Sequence, residues 1–219
     1  YRPCAPITSM TAGATSADGI KWKVTEQPLL KHNSDTQTVC FRDGDWYRLY
    51  VRMWIGDRRA VDINALFAES LNLAYHGARA EKQGFQIRLG QDLDPAAGEA
   101  EVLPQEITRV LLNLISNGFY AAMKRKAEAG SNAYEPALTA STRNLGDRVE
   151  IRIRDNGSGI APDVQARMFN PFFTTKPPGE GTGLGLSLSH DIVVKQHAGS
   201  IEVDTQPGEF AEFRIVLPR

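Results

Sequence analysis

The run Arg148-Val149-Glu150-Ile151-Arg152-Ile153-Arg154, closed by Asp155-Asn156-Gly157-Ser158-Gly159-Ile160, limits the possible folds more than any other stretch. Polar and apolar residues alternate with the period of a strand, so Val149, Ile151 and Ile153 share one face. Asp155 has the same parity and is carried inward with them. A carboxylate on a core face needs a partner. That partner is either a donor from outside the chain, for which a purine amino group is suited, or the backbone of its own turn. Gly157 and Gly159 allow a sharp turn and the close approach of a flat ring.

A second glycine-rich stretch runs from Gly179 to Gly185, and Leu184, Leu188 and Ile192 follow it at helical spacing. Free amides at a helix start suit an anion. The stretch is not a Walker loop, because no Gly-Lys-Ser/Thr follows. Its G-x-G-x-G spacing, with no strand immediately before it, also departs from the dinucleotide fingerprint. The plainer alternative is a flexible linker before a core helix.

Upstream, Pro104 opens a predicted helix at a position where its missing N–H costs nothing. Leu103, Ile107, Val110, Leu111, Leu114 and Ile115 give it a buried stripe. Glu106, Asn113, Asn117 and Lys124 lie along another face. Asn113 and Asn117 are i, i+4 neighbours whose side chains can converge. Gly118 costs about 1 kcal/mol against Ala inside a helix. A carboxamide oxygen can ligate Mg²⁺ without adding negative charge beside phosphates; two ordinary surface asparagines are the alternative. Between the glycine loops, Met168-Phe169-Asn170-Pro171-Phe172-Phe173-Thr174-Thr175-Lys176-Pro177-Pro178-Gly179 reads as a hinged lid with an apolar latch. From it Lys176, Thr174 and Thr175 can reach a terminal phosphate. A loop merely anchored by its Phe residues fits the same pattern.

In chain order, residues 1 to about 20 read as loop or a poorly ordered end. Thr38–Arg42 and Trp46–Ile55, joined by Asp43-Gly44-Asp45, read as a hairpin. In its second strand Tyr47, Leu49, Val51, Met53 and Ile55 share one face, and Trp46, Arg48, Tyr50, Arg52 and Trp54 the other. This segment of about 60 residues is a small β module whose role the sequence does not reveal. Asp62 is an N-cap for a helix carrying Ile63, Leu66, Phe67, Leu71, Ala74 and Ala78, ended by Gly84. A strand over Phe85–Leu89 and a loop from Gln91 to Gly98 follow. Residues 130–147 hold a turn at Gly130-Ser131-Asn132 and a strand that pairs with 148–154. Pro162-Asp163 starts a short helix. The helix after the second glycine loop runs to about Ala198 and stops at Gly199. Ser200–Asp204 and Glu212–Leu217 are strands joined through Pro207-Gly208.

With 42% apolar and 23% charged residues, the composition is that of a soluble globular chain. A net charge of −1 leaves no basic footprint for nucleic acid. No apolar run is long enough to span a bilayer and no signal peptide is visible. Two cysteines, Cys4 and Cys40, imply no disulfide framework, so a reducing cytoplasm is expected.

Residues from about 62 to 219 resemble the catalytic ATP-binding domain of bacterial sensor histidine kinases, in the wider superfamily of gyrase, MutL, the heat-shock chaperone and the mitochondrial dehydrogenase kinases. Asn113-Leu-Ile-Ser-Asn117 is similar to the family's N box and Asp155-Asn-Gly-Ser-Gly159 to its first glycine box. Phe169-Asn-Pro-Phe172-Phe173 is similar to its F box and Gly181-Thr182-Gly183-Leu184-Gly185-Leu to its second glycine box. The resemblance implies an α+β fold: a two-layer sandwich, with a mixed sheet covered by helices on one face and a mobile ATP lid. It covers an ATP-binding catalytic domain over 62–219; the β-hairpin-like segment over 1–60 is a separate domain and stands where the family has its dimerisation hairpin. The cofactors would be ATP and Mg²⁺. Asn117 with Asn113 would hold the metal, and these two with Lys176 would make up the catalytic set. Asp155 would bind the adenine amino group. Gly157, Gly159, Ile160, Phe172, Thr174 and Thr175 would complete the nucleotide site, with the phosphates wrapped by the loop of Gly181, Thr182, Gly183, Leu184 and Gly185.

Hydrolysing members of the superfamily carry a Glu where this chain has Asn113, which has no titratable base. The resemblance therefore implies phosphoryl transfer to a histidine. The acceptor would lie on a dimerisation hairpin, through which the protein would form a homodimer, and a response regulator would act downstream. No His-Glu-x-x-x-Pro acceptor box occurs here, so the chain is expected to be a fragment, a fusion or a variant acting on another chain. His190-Asp191 superficially resembles an acceptor and its acid, but it lies behind the phosphate loop. Gly118 and Ala211 stand where the family favours Ala and Thr. Two alternatives stay open: an ATPase-type conformational switch, and a nucleotide-binding regulatory module without chemistry.

Overall fold

The structure, a computed structural model, describes residues 9–16, 23–24, 39–43, 46–54, 58–130, 134–177 and 180–219. They fall into two compact units, Tyr1–Asp57 and Arg58–Arg219.

The first unit is a four-stranded antiparallel sheet of β1 (Ser9–Ser16), β2 (Lys23–Val24), β3 (Val39–Asp43) and β4 (Trp46–Trp54), in the order β2-β1-β4-β3. The β3–β4 hairpin has the expected pairing, Asp43 opposite Trp46. Its tip (Gly44, Asp45), Ile55 and the side chains of both strand faces lie outside the described residues. The loop expected over residues 1–20 is corrected: Ser9 to Ser16 pair residue by residue with Trp54 to Tyr47. Their small and hydroxylated side chains carry no strong local preference, so the neighbouring strand decides the conformation.

The second unit begins with β5 (Arg59–Asp62), which pairs with β7 (Glu99–Val102), a short strand the sequence did not announce. Asp62 caps α1 (Ile63–Glu81), its carboxylate accepting from the Ala65 amide at 3.0 Å. The second helix, α2 (Pro104–Ala129), starts at Pro104 and ends on Gly130 in the left-handed region, φ 58°. Behind them lies a five-stranded mixed sheet of β6 (Arg88–Asp92), β8 (Ala137–Asn144), β9 (Arg148–Asp155), β10 (Ser200–Gln206) and β11 (Phe210–Pro218). Its order is β10-β11-β9-β8-β6, antiparallel except for the parallel β6–β8 pair.

The alternation in β9 has the expected result: Val149, Ile151, Ile153 and Asp155 are buried on the helix-facing side. There they meet Ile107, Val110, Leu111, Leu114 and Ile115 of α2 in one core with Phe67 and Leu71 of α1. Each such aliphatic side chain contributes about 1.5–3 kcal/mol on burial. On the opposite face Glu150 lies beneath Arg152 and Arg214, which both donate to it.

Two elements shift from the sequence reading. The strand placed at Phe85–Leu89 and the loop placed at Gln91–Gly98 give way to a strand over Arg88–Asp92. Parallel pairing starts at Arg88 opposite Ala137, where the Arg88 amide donates to the Pro136 carbonyl at 2.8 Å. Pro136 has no N–H, so the ladder cannot run further back. Phe85 instead packs its ring 5.3 Å from that of Phe119. The helix expected to reach Ala198 is α4 (Gly185–His190), continued by a π-helical segment, Asp191–Gln196. The wider turn buries Ile192, Val193 and His197 together. His197 is 1% exposed, with Nδ1 2.8 Å from the Ile192 carbonyl and Nε2 accepting from the Leu103 amide at 3.0 Å. It thereby satisfies the amide of Leu103, the residue just before α2, a helix that has no side-chain cap. Burial holds its imidazole below the usual histidine range.

Gly159 sits at φ 64°, and a Cβ there would lie 2.2 Å from the Gln206 carbonyl oxygen. Gly146 has φ 87° but open space around it. Gly159→Ala is expected to cost about 2–4 kcal/mol, backbone strain plus clash, against about 1 kcal/mol for Gly146→Ala. Equal midpoints for the two variants in urea denaturation would refute the assigned contact.

Candidate nucleotide site

Two close contacts shape the site. Gly118 of α2 crosses β8 and β9 where a Cβ would fall 2.7 Å from Leu138 Cδ1 and 3.3 Å from Asp155 Cβ. Gly157 stacks on Ala121, one turn on, where a Cβ would meet that residue's backbone at 2.7 Å. The helix thus lies almost on the end of β9, and a cavity of about 700 Å³ opens along its flank. That volume is in the range of small-molecule sites.

Asp155 is at the cavity's inner end, 4% exposed, in register with Leu138 and Ala211 on the flanking strands. Its Oδ1 accepts from the Gly157 amide at 2.8 Å. Both readings of this carboxylate therefore hold in part: one oxygen caps its own turn, and Oδ2 has no partner among the described residues. Burial, above all, raises the carboxyl from 3.8 to about 6, against the lowering by the Gly157 amide.

The turn beyond Asp155 is braced by residues the sequence reading passed over. Arg125 Nη1 donates to the carbonyls of Asn156, Gly157 and Glu209 at 2.8–3.1 Å. The Asn156 side chain receives the Ala137 amide at 2.8 Å and donates to the Glu135 carbonyl at 2.8 Å, and the Tyr134 hydroxyl lies 2.8 Å from its oxygen. Arg125 lies eight residues after Asn117, on the same side of α2; that spacing was the available signal.

At the outer end, Asn117 and Asn113 flank the cavity with Asn117 Nδ2 3.5 Å from Asn113 Oδ1. Lys176 Nζ donates to Asn117 Oδ1 at 2.9 Å and sits 4.5 Å from the centroid of Tyr120. Desolvation lowers the Lys176 ammonium from its usual value. Asn117 thus presents its oxygen to a cation in this structure. Among the described residues no three His, Cys, Asp or Glu side chains gather as a metal cluster. A metal here would rely on carboxamide and phosphate oxygens, a donor set that suits Mg²⁺.

Over the cavity arches the segment that follows α3 (Pro162–Gln165). Thr174, Thr175, Lys176, Gly181, Thr182, Gly183 and Gly185 all line it, as do Gly159 and Ile160 from the other side. Three residues named from the sequence do not. Phe172 is 76% exposed at φ 65°, and Phe173 takes its place in the wall. Gly157 stands behind Asp155, and Leu184 is exposed at the head of α4. The expected three-Phe latch is a two-Phe one, with Phe169 and Phe173 packed against the core beside buried Met168. Pro178 and Gly179 lie outside the described residues. The His190 ring packs tilted against Phe169, their centroids 5.3 Å apart.

The match with known families decides the lineage. Residues 103–219, more than half of the chain, fit the family described as "Histidine kinase-, DNA gyrase B-, and HSP90-like ATPase". The chain belongs to this family. Among curated relatives it is 37% identical over 160 residues to the sensor histidine kinase ZraS of Escherichia coli K12, covering 73% of this chain and 31% of ZraS. The chain therefore spans about a third of that relative's length. The solved catalytic domain of histidine kinase ThkA, nucleotide-free, superposes with a TM-score of 0.60 at 23% identity, over 74% of this chain and 95% of ThkA. Full-length ShkA in complex with AMPPNP gives 0.58 at 24% identity, over 74% of this chain and 31% of ShkA. These likenesses show the shared fold.

The raised carboxyl has a sign that can be tested without ligand. Between pH 3.8 and about 6 the native Asp155 keeps a proton that the unfolded chain has lost, so stability falls as pH rises through that window. Above it the buried charge costs on the order of 2–3 kcal/mol. Nucleotide-free Asp155→Asn should melt several degrees above wild type at pH 8, with the gap closed near pH 4. A variant less stable at pH 8 would contradict the orphaned oxygen.

Proposed function

We propose that Arg58–Arg219 is the ATP- and Mg²⁺-dependent catalytic domain of a bacterial protein-histidine kinase. In this reading it transfers the γ-phosphoryl group of ATP to a histidine outside these 219 residues, in two-component signalling. The observation that carries the proposal is the pair of cavity ends. A buried carboxylate oxygen without a donor waits at one, and a carboxamide oxygen already holding a cation stands at the other.

The adenine amino group supplies the donor that Asp155 Oδ2 lacks, and Gly159 and Ile160 border the ring. The phosphates extend toward Asn113 and Asn117, under Thr174, Thr175 and Lys176, with the Gly181–Gly185 loop around them. Gly157, Phe172 and Leu184 act from behind the wall, through backbone and packing. Asn117 and Asn113 would hold Mg²⁺, which would supply charge neutralisation to the phosphates. The bond from the γ-phosphorus to the bridging oxygen breaks, and a bond to an imidazole nitrogen of the acceptor forms. The imidazole proton passes to the carboxylate of an acidic residue on the acceptor's side, which acts as the base. This domain contributes position and charge.

Asn113 also separates transfer from hydrolysis. A carboxamide cannot take a proton from water, and its amide nitrogen is bonded to Ser189 at 2.9 Å. ShkA, with its bound AMPPNP, and the sensor kinase ZraS support the same reading. An ATP-using domain of this kind works in the cytoplasm, with a response regulator as the final phosphate carrier. Among the described residues no helix is long and apolar enough to cross a membrane. The domain division proposed here follows the unit boundary at Asp57 and Arg58, and the β-rich unit keeps no assigned role.

Incubated with γ-labelled ATP, Mg²⁺ and an acceptor hairpin from a sensor histidine kinase, the protein should leave acid-labile, base-stable phosphate on the hairpin. Free phosphate alone, with none on the hairpin, would favour the ATPase reading. Asn117→Ala should make ATP affinity nearly independent of Mg²⁺ in calorimetry. Undiminished Mg²⁺ dependence would remove the metal assignment.

A further inference from the structure

Five groups in the site form a hydrogen-bonded chain that runs from the lid to the start of α4. The Lys176 ammonium donates to Asn117 Oδ1 at 2.9 Å, and the Asn117 amide faces Asn113 Oδ1 at 3.5 Å. The Asn113 amide donates to Ser189 Oγ at 2.9 Å, and the Ser189 hydroxyl donates to the Gly185 carbonyl at 2.9 Å. Every donor points the same way, and the first one is a cation.

A carboxamide has two ends of nearly equal shape, one a donor and one an acceptor, and only its partners decide which faces where. A cation site needs an oxygen, and not an amide, facing in. Nothing on Asn113 itself ensures this. Ser189 does, because its single hydroxyl proton is taken by the Gly185 carbonyl, four residues back on its own helix. Its oxygen is then left only to accept, and the group of Asn113 that can donate to it is the amide. The Asn113 oxygen is turned toward Asn117, whose amide must meet it, and the Asn117 oxygen is turned toward the cation. Ser189 is 2% exposed, so water does not compete for its proton. Gly185 leaves room for this arrangement: a Cβ there would lie 2.3 Å from Asn113 Oδ1.

We propose that Ser189 is a positioning residue that sets the polarity of the Asn113–Asn117 carboxamide pair, so that the Asn117 oxygen, rather than its amide, is presented to the bound cation. The inference rests on the Mg²⁺–nucleotide reading above and deepens it. Ser189 touches neither metal nor nucleotide. It acts through Asn113, and through the Gly185 carbonyl it ties that orientation to the loop around the phosphates.

The test measures affinity for a non-hydrolysable ATP analogue by calorimetry over a range of Mg²⁺ and in EDTA. Ser189→Ala removes the acceptor and lets the Asn113 amide turn inward. The Mg²⁺ concentration giving half of the affinity gain should rise about 10- to 100-fold, as for other groups that orient metal ligands. Affinity in EDTA should stay within about twofold of wild type, since adenine is held elsewhere. Ser189→Thr, which keeps the hydroxyl, should restore the Mg²⁺ response. In an Asn113→Asp background both ends of the side chain are oxygen, so adding Ser189→Ala should change the Mg²⁺ response little further. An unshifted Mg²⁺ midpoint in Ser189→Ala overturns the inference. So does an equal loss in Mg²⁺ and in EDTA, or an undiminished effect in the Asn113→Asp background. If wild type itself binds the analogue without any Mg²⁺ effect, the metal reading fails first and takes this inference with it.

Discussion

The contact of Gly118 with the end of β9 sets the rest of the site. A helix normally keeps side chains between itself and a sheet, which holds the two layers apart. Here a residue without a Cβ lets α2 lie close against Leu138 and Asp155, where an added Cβ would require the Leu138 side chain to shift. Glycine in a helix interior costs about 1 kcal/mol. The core of Ile107, Leu111, Leu114 and Ile115 against Ile151 and Ile153 offsets that many times over. Once α2 lies this close, Asp155 is sealed from water. Asn117 and Asn113, one and five residues back, are carried to the other end of the same cavity.

The two ends differ in how well they are satisfied. At the inner end a carboxylate oxygen is buried without a donor, a state that proteins rarely keep unless it serves a ligand. At the outer end the polar groups are paired among themselves, with a lysine from the covering segment resting on the oxygen of Asn117. In the proposed function, ligand entry would fill a gap at one end and exchange one cation for another at the other. The covering segment would answer to the second event, because Lys176 belongs to it. The turn between β9 and α3 does not take part in that exchange: Arg125, Tyr134 and Asn156 fasten it to backbone carbonyls and amides on three sides.

Much of this was legible before any coordinates. The alternation of Arg148–Arg154 carried the strand, and its parity carried Asp155 inward, because a period of two admits no other choice once one face is buried. The Asp62 cap, the Pro104 start and the i, i+4 asparagines follow equally local rules. What stayed hidden depends on partners remote in sequence. Ser9–Ser16 is a strand because β4 lies beside it. The β6 strand begins at Arg88 because Pro136 ends the ladder. The π-helical segment exists because Ile192, Val193 and His197 all find burial there. Phe172 and Phe173 are adjacent aromatic residues, and nothing in their order says which one turns to the cavity.

The sequence by itself determined the elements and the residue types that face inward, since periodicity, caps and breakers act within a few residues of where they stand. It also determined the family, because four short motifs in fixed order survive in the linear text. Only the tertiary structure decided which end of each side chain is free. That Asp155 spends one oxygen on Gly157 and keeps the other, and that Asn113 turns its oxygen toward Asn117 because Ser189 has given its proton to the Gly185 carbonyl, are matters of hydrogen-bond direction. Direction is settled by neighbours that close packing brings together across long stretches of chain, and no local pattern encodes it.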